Sequence, residues 1–230
     1  MTSLDGPRLP PLSGTARSLV VLLHGYGADG DDLIDIGRAW QGYLPDTAFV
    51  APHAPDPCGM APMGRQWFPL TMRDPHERWT GVVGARPTLD GFLDAELARH
   101  GLDDTRMVLV GFSQGTMMAL HAGLRRSRQP AAIVGYSGML VGPERLADEG
   151  ACAPPVLLVH GSADDVIPAQ ALFMSAQGLA AAGLTCEWHL SMDVGHGIDE
   201  DGLRHGLQFA AFQLTGRLPD LPTHSMEPGA

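Results

Sequence analysis

The sequence predicts one α/β domain, with a mostly parallel, doubly wound sheet and helices on both of its faces. Three observations lead to this prediction: short apolar segments alternate with helix-length segments, polar residues follow the apolar segments, and no repeat or linker divides the 230 residues. Strands that alternate with helices pair in parallel through right-handed crossovers. The domain is expected to span residues 1–215 and to be followed by a tail at 216–230.

Short apolar runs predict buried strands, and longer segments with apolar residues three and four positions apart predict helices. The strand segments are 18–23, 47–51, 107–110, 132–135, 156–159 and 185–190. The helix segments are 31–43, 88–100, 116–126, 169–182 and 201–214. Asp31 or Asp32 is suited to cap the first helix, and Gly101 and Gly183 are suited to end two others.

The segment 56–87 differs from the rest of the chain, because it is rich in Pro, Gly, Met and Trp and has no steady periodicity. A loop of this length commonly forms a lid or a pocket wall. Polar residues follow the predicted strands at 24–27, at 113, at 137–140 and at 160–165. Functional groups of doubly wound sheets collect at the carboxyl ends of the strands, so these residues are expected to meet at one edge.

Composition limits the possible partners and locations. The net charge is −11, whereas nucleic acid and anionic lipid surfaces select clustered Lys and Arg, so neither a nucleic-acid partner nor stable membrane association is expected. Cys58, Cys152 and Cys186 are odd in number and widely spaced, which indicates free thiols in a reducing compartment. The start of the chain lacks a basic segment followed by an apolar one, and a cytoplasmic location is therefore expected.

Ser113 is the predicted nucleophile. It is the centre of the pentapeptide Gly-Phe-Ser-Gln-Gly, which follows one predicted strand and precedes a predicted helix. On such a sharp turn, glycines at 111 and 115 remove Cβ atoms that would clash, and the serine hydroxyl projects above the sheet. This arrangement is typical of a nucleophile elbow, and a surface loop would not require it.

A serine hydroxyl needs a base and a group that orients the base. His196 follows the last predicted strand on a Gly-His-Gly loop, at the expected edge of the sheet, and is the predicted base. Other histidines are expected to pack in helices or to organise loops: His24, His100, His121, His160 and His205. The loop after 156–159 offers two adjacent acids, of which we prefer Asp164 as the orienting group and assign Asp165 to capping the next helix.

The backbone N–H groups of Tyr26 and Gln114 are predicted to bind the oxyanion, because Gln114 directly follows the nucleophile and Tyr26 lies on a glycine-rich loop after a strand. The alternative for the Tyr26 loop is a simple turn. The acidic segment 28–32 resembles a calcium loop but lacks the distal bidentate Glu of an EF-hand. We therefore expect neither a metal nor a cofactor.

The segments His-Gly-Tyr-Gly at 24–27, Gly-Phe-Ser-Gln-Gly at 111–115, His-Gly-Ser-Ala-Asp-Asp-Val-Ile-Pro at 160–168 and Gly-His-Gly at 195–197 occur in this order. With them the chain resembles the phospholipase/carboxylesterase family of α/β-hydrolases, especially its bacterial carboxylesterase branch, and also the related acyl-protein thioesterases. The resemblance implies Ser113, Asp164 and His196 as a triad, with Tyr26 and Gln114 as the oxyanion hole. Pro69 departs from the Asp that many relatives carry after Trp-Phe.

The predicted function is a cofactor-independent serine carboxylesterase that hydrolyses short- to medium-chain esters of a small-molecule substrate. The predicted apolar pocket surface comprises Met60, Met63, Trp67, Phe68, Trp79, Met139 and Leu140. The alternatives are an acyl-protein thioesterase, a lysophospholipase with the same triad, and a non-catalytic binding module on a hydrolase fold. The chain is expected to be a monomer or a homodimer.

Overall fold

The computed structural model describes residues 4–59, 61, 63–71, 74, 76–150 and 152–221. The strands are β1 (Arg8–Leu9), β2 (Ser18–Leu23), β3 (Thr47–Val50), β4 (Asp56–Pro57), β5 (Arg65–Gln66), β6 (Met107–Phe112), β7 (Ala132–Tyr136), β8 (Val156–Gly161) and β9 (Cys186–Ser191). The helices are α1 (Gly30–Gln41), α2 (Glu77–His100), α3 (Gln114–Gly123), α4 (Leu146–Glu149), α5 (Gln170–Ala181) and α6 (Glu200–Thr215). The alternation of strands and helices predicted from the sequence is confirmed.

The main sheet has the strand order β1-β3-β2-β6-β7-β8-β9. All its neighbouring strands are parallel except β1, which pairs antiparallel with β3 at one edge. Because the strands run in parallel, the carboxyl ends of β2, β6, β7 and β8 lie at the same edge. The polar segments that follow these strands are therefore brought to one side of the molecule.

Two apolar cores cover the two faces of this sheet. Alternate residues of β2 divide between them, since successive side chains of a strand point to opposite faces. Leu19 and Val21 belong to the core that α2, α3 and α5 complete, whereas Val20 and Leu22 belong to the core that α1 and α6 complete. The helices thus lie on both faces, as predicted for a doubly wound sheet.

The predicted loop at 56–87 is wrong in its second half. Helix α2 begins at Glu77 rather than at residue 88, and it continues through Pro87. Val82, Ala85 and Leu89 are buried in the same core as Leu19 and Val21. This burial favours the helix in spite of the proline. Residues 56–76 contain the short antiparallel hairpin of β4 and β5. The tail from 222 onward lies outside the described residues.

No helix in the described ranges is long and apolar enough to cross a bilayer. All three cysteines are free thiols, as predicted. Their side chains are buried or half-buried.

His121, near the end of α3, packs against α2 and is 2% exposed. Its Nδ1 atom is buried without a hydrogen-bond partner among the described residues. Burial lowers the pKa of His121 to about 3, and the positive charges of Arg125 and Arg86 act in the same direction. The folded protein therefore keeps this imidazole neutral.

This burial predicts a loss of stability in acid. A histidine in the unfolded chain binds a proton near pH 6.5, whereas folded His121 binds one only near pH 3, so the unfolded state gains protons first as pH falls. Between pH 7 and pH 5 the linkage should lower the free energy of unfolding by about 2 kcal/mol. Urea unfolding of the wild type and of His121→Leu at both pH values measures this contribution. An equal loss of stability in the variant would contradict it.

Candidate active site

Ser113 lies between the end of β6 and the first residue of α3, at the predicted edge of the sheet. Its backbone has φ 52° and ψ −113°. L residues rarely adopt this conformation, because it is sterically strained. The Ser113 N–H donates to the Tyr136 carbonyl at 2.9 Å, and the Ser113 carbonyl accepts from the Thr116 N–H at 3.0 Å. These hydrogen bonds to β7 and α3 hold the residue in its strained conformation.

The close approach of α3 to β2 requires glycine at 115. A Cβ atom at this position would lie 1.8 Å from the Leu23 carbonyl oxygen. A Cβ at 111 would lie 2.4 Å from the Gly115 carbonyl oxygen. Both glycines of the pentapeptide are therefore needed for the turn that carries Ser113.

Asp164 lies on the loop after β8 with its side chain fully buried. Its Oδ1 atom accepts hydrogen bonds from the N–H groups of Val166 at 2.9 Å and Ile167 at 2.8 Å. Its Oδ2 atom accepts one from His196 Nδ1 at 2.8 Å. Burial acts to raise the pKa of Asp164, but the hydrogen bonds from His196, Ile167 and Val166 together hold this pKa below its usual value. The carboxylate is thus charged at neutral pH and is oriented toward the imidazole.

Asp165 is exposed, and the contacts of the described residues place Asp164 rather than Asp165 against His196. The expectation that Asp165 caps the next helix is wrong. Helix α5 begins after Ala169, whose side chain cannot accept a hydrogen bond.

His196 lies on the loop between β9 and α6. The Ser137 hydroxyl donates to the Gly197 carbonyl at 3.0 Å, which ties this loop to the end of β7. The His196 ring also contacts the ring of Phe112, the neighbour of the serine, with centroids 5.0 Å apart. Since Nδ1 is engaged with Asp164, Nε2 is the nitrogen left to accept a proton.

The described contacts include no hydrogen bond between Ser113 and His196. Hydrogen bonds of catalytic groups are often long in a free enzyme and shorten when substrate binds. In the structure, the His196 ring thus contacts Phe112, the neighbour of Ser113, and is hydrogen-bonded directly to Asp164.

The turn after β2 carries Tyr26 and lies against the serine. A Cβ atom built on Gly25 would be 3.4 Å from Ser113 Cβ. His24 fixes the start of this turn, because its Nε2 accepts from the Ala54 N–H at 2.9 Å and its carbonyl accepts from Trp67 Nε1 at 3.0 Å. Burial lowers the pKa of His24 and keeps it neutral, so the role predicted for it in organising a loop is confirmed.

The predicted pocket residues are not gathered in one place. Trp67 and Phe68 are buried, Leu140 is buried beside the partly buried Met139, and Met63 is 91% exposed. Trp79 lies on α2 in a different groove of about 820 Å³, shared with His121, Arg125 and Arg145. None of the three predicted triad residues lines that groove, and a role of Trp79 in the substrate pocket stays a prediction. Met60 lies outside the described residues.

The acidic segment after Tyr26 forms a helix cap. Asp29 accepts from the Asp31 N–H at 2.8 Å, and the Asp29 N–H donates to the Asp32 carboxylate at 2.9 Å. Ligand atoms of Asp29, Asp31 and His53 lie within 4.8 Å of one another. However, His53 Nδ1 already accepts from the Gly30 N–H at 3.1 Å. The start of α1 thus accounts for the contacts of Asp29 and for one nitrogen of His53.

Comparison with known proteins agrees with this geometry. Residues 10–213 match the family described as Phospholipase/Carboxylesterase. The chain belongs to this family. Like its relatives, it is an enzyme, a serine hydrolase that acts on carboxylic ester bonds.

Individual proteins of known name match most of this chain. Esterase YpfH of Escherichia coli is 25% identical over 93% of this chain and 90% of its own length. Acyl-protein thioesterase 1 of Gibberella zeae is 26% identical over 83% of this chain and 88% of its own. The crystal structure of esterase PE8 is 47% identical, has a TM-score of 0.88, and covers 90% of this chain and 98% of its own. The similarity to PE8 confirms the α/β-hydrolase fold.

Sequence reasoning missed the role of the Gln114 side chain in this family member. The Gln114 Oε1 atom accepts from the Trp67 N–H at 2.9 Å, and Nε2 donates to the Phe68 carbonyl at 2.8 Å. The residue after the nucleophile thus holds the Trp-Phe segment beside the site. Its polar amide at the start of an otherwise buried helix was the only sequence signal, because a buried amide requires partners.

His160 is the second residue with a role that the sequence did not specify. Its Nε2 lies 2.7 Å from the Ile167 carbonyl and 3.2 Å from Asp164 Oδ2. A carbonyl can only accept, so Nε2 carries the proton and points it between the two oxygens. The loop-organising role predicted for His160 is confirmed, and it extends to the acid itself.

Proposed function

We propose that this enzyme hydrolyses short- to medium-chain carboxylic esters through an acyl-enzyme on Ser113, with His196 as base and Asp164 as the orienting acid. The observation that carries the proposal is the 2.8 Å hydrogen bond between Asp164 Oδ2 and His196 Nδ1 beside the strained serine turn. This bond leaves Nε2 unprotonated in the neutral imidazole. A base in this tautomer is the one that serine activation requires.

In the first half of the reaction, His196 Nε2 takes the proton of the Ser113 hydroxyl while Oγ attacks the ester carbonyl carbon. The carbonyl oxygen becomes an oxyanion, and the N–H groups of Tyr26 and Gln114 stabilise it. Gln114 is the first residue of α3, where N–H groups have no acceptor within the helix and the helix dipole favours negative charge. The imidazolium then protonates the alkoxide, and the alcohol departs.

In the second half, His196 removes a proton from water, and the resulting hydroxide attacks the acyl carbon. The second tetrahedral intermediate collapses, Ser113 recovers its proton from the imidazolium, and the acid is released. Asp164 stays ionised throughout and stabilises the transient cation, in agreement with its lowered pKa.

The proposed preference for short to medium chains rests on Trp67 and Phe68, which we call the aromatic wall. The Gln114 side chain holds the backbone of both residues. Trp67 and Phe68 are 2% and 3% exposed and are fixed through their backbone groups. A fixed aromatic wall favours acyl chains that bind without moving it.

The test combines covalent labelling with a rate series. A fluorophosphonate should attach to the peptide that contains Ser113 in the wild type and to no peptide of Ser113→Ala, as read by mass spectrometry. With p-nitrophenyl esters of increasing length, kcat/KM should peak at short to medium chains. Labelling of another serine would overturn the mechanism, and a peak at long chains would overturn the chain-length proposal.

A second candidate is thioester hydrolysis on acylated protein cysteines. The observation that favours it is the match to proteins named acyl-protein thioesterase 1 in Gibberella zeae and Schizosaccharomyces pombe. The same triad can catalyse both reactions. A thioester makes no greater demand on it, because a thiolate leaves more readily than an alkoxide. Comparing kcat/KM for an S-acylated peptide with that for a p-nitrophenyl ester of the same acyl chain decides between them.

A further inference from the structure

Strand β9 is the last strand of the main sheet and pairs only with β8 among the described residues. Among the described residues, the chain after α6 makes no backbone hydrogen bond to β9. That chain passes Leu218, in a groove with Glu187, and reaches Leu221, in a groove with Trp40 of α1. Half of the backbone groups of β9 thus face outward, and such an edge can pair with another strand.

Large apolar side chains flank this edge on both faces of the sheet. On the α5 side, Trp188 is 52% exposed and Phe173 is 45% exposed, and their rings meet edge to face with centroids 5.3 Å apart. On the α6 side, Phe212 and Leu218 are also exposed and line one groove with Glu187. An exposed aromatic pair beside an open strand edge is typical of a protein interface rather than of a solvated surface.

Two polar residues of β9, Glu187 and His189, have no side-chain hydrogen-bond partner within the described ranges. Glu187 makes no side-chain hydrogen bond or ion pair there, and neither ring nitrogen of His189 makes a hydrogen bond. Both side chains lie on the α6 side of the strand, where the His189 ring contacts the His205 ring at 4.2 Å. An acceptor and a donor are thus placed two residues apart with Trp188 between them.

We propose that β9 pairs antiparallel with β9 of a second copy of this chain, around a twofold axis at Trp188. In this register Trp188 lies opposite Trp188 of the second copy, and Glu187 lies opposite His189 of the second copy. Cys186 then lies opposite Leu190 of the second copy. Each apolar residue meets an apolar or thiol side chain, and each carboxylate meets an imidazole N–H, twice by symmetry.

The self-complementarity of the strand selects a second copy over an unrelated peptide. Reversing the segment Cys-Glu-Trp-His-Leu about its centre exchanges donor with acceptor and leaves the aromatic residue in place, as a twofold contact requires. The two sheets then form one continuous sheet with the two catalytic edges pointing in opposite directions. Each active site is complete in its own chain, so esterase activity should not depend on the pairing.

Sedimentation velocity over a micromolar concentration series tests the proposal on the full chain. The wild type should sediment as a species of twice the 24.4 kDa chain mass. Trp188→Lys should weaken association roughly 30-fold or more, as for an aromatic residue at the centre of an interface. Val83→Lys, which changes an exposed residue on α2, is the matched control and should leave the dimer intact.

A charge exchange tests the register. Glu187→Lys should weaken the dimer, and Glu187→Lys combined with His189→Glu should restore it by recreating both cross-strand pairs in reverse. Esterase activity per chain should stay at the wild-type level in every variant, which shows that each one folds. A monomeric wild type, or a dimer that resists both Trp188→Lys and Glu187→Lys, would overturn the proposal. Failure of the double variant to recover would overturn the register.

Discussion

Replacing Ser113 by alanine is expected to lower kcat for p-nitrophenyl esters by about 10,000-fold or more, the scale seen when a triad nucleophile is removed. The methyl group cannot attack the carbonyl, so only the oxyanion donors and substrate binding continue to contribute. Steady-state kinetics measures the loss. Near-normal turnover in this variant would exclude Ser113 as the nucleophile.

A companion variant, Ser113→Gly, separates chemistry from backbone strain. Ser113 has a φ of 52°, which glycine adopts without the steric cost of a Cβ atom. The glycine variant should be as inactive as the alanine variant but more stable than the wild type, by ~1–3 kcal/mol in urea unfolding. A glycine variant no more stable than the wild type would show that the turn stores no strain.

Replacing Asp164 by asparagine is expected to lower kcat by roughly 1,000- to 10,000-fold without large loss of structure. The amide oxygen can still accept from the N–H groups of Val166 and Ile167. The amide nitrogen would then face His196 Nδ1 and act as a donor to it. That favours the tautomer with a proton on Nε2, which cannot take the proton of Ser113.

Asp165→Asn is the matched control, since it makes the same chemical change one residue away on an exposed side chain. It should retain activity within about threefold of the wild type, as surface substitutions commonly do. Measuring both variants on one ester tests the choice between the adjacent acids. A larger loss in Asp165→Asn than in Asp164→Asn would reverse the assignment.

The strands of the main sheet could be predicted because parallel strands are buried on both faces. Every residue of β2 is buried, so the sequence shows a continuous apolar run there. Helix α2 was only half predicted, because Gly81, Gly84 and Pro87 all weaken a helix in isolation. Contacts with distant residues outweigh these propensities. A Cβ at Gly81 would lie 2.3 Å from the Phe68 ring, so the glycine allows α2 to pack on that residue.

The predicted triad residues share one property, a position on the segment that follows a strand of the main sheet. Ser113 and Asp164 could be named from that property and from chain order, since the topology brings strand ends together. Trp79 could not be placed, because the sequence does not show that it lies on a helix and packs against His121. The hydrogen-bond partners of the Gln114 side chain could not be predicted either. Its partners are 46 and 47 residues away, a separation at which local patterns carry no information.

The double hydrogen bond of Gln114 has a consequence for how this enzyme can change its substrates. It fixes the backbone at Trp67 and Phe68 relative to the nucleophile, and Gly81 secures Phe68 from the side of α2. The interval from 69 to 76 therefore follows a residue that the framework holds, and α2 begins directly after it. Its length and composition can diverge, or be exchanged with those of a relative, while the distance from Ser113 to the aromatic wall is conserved.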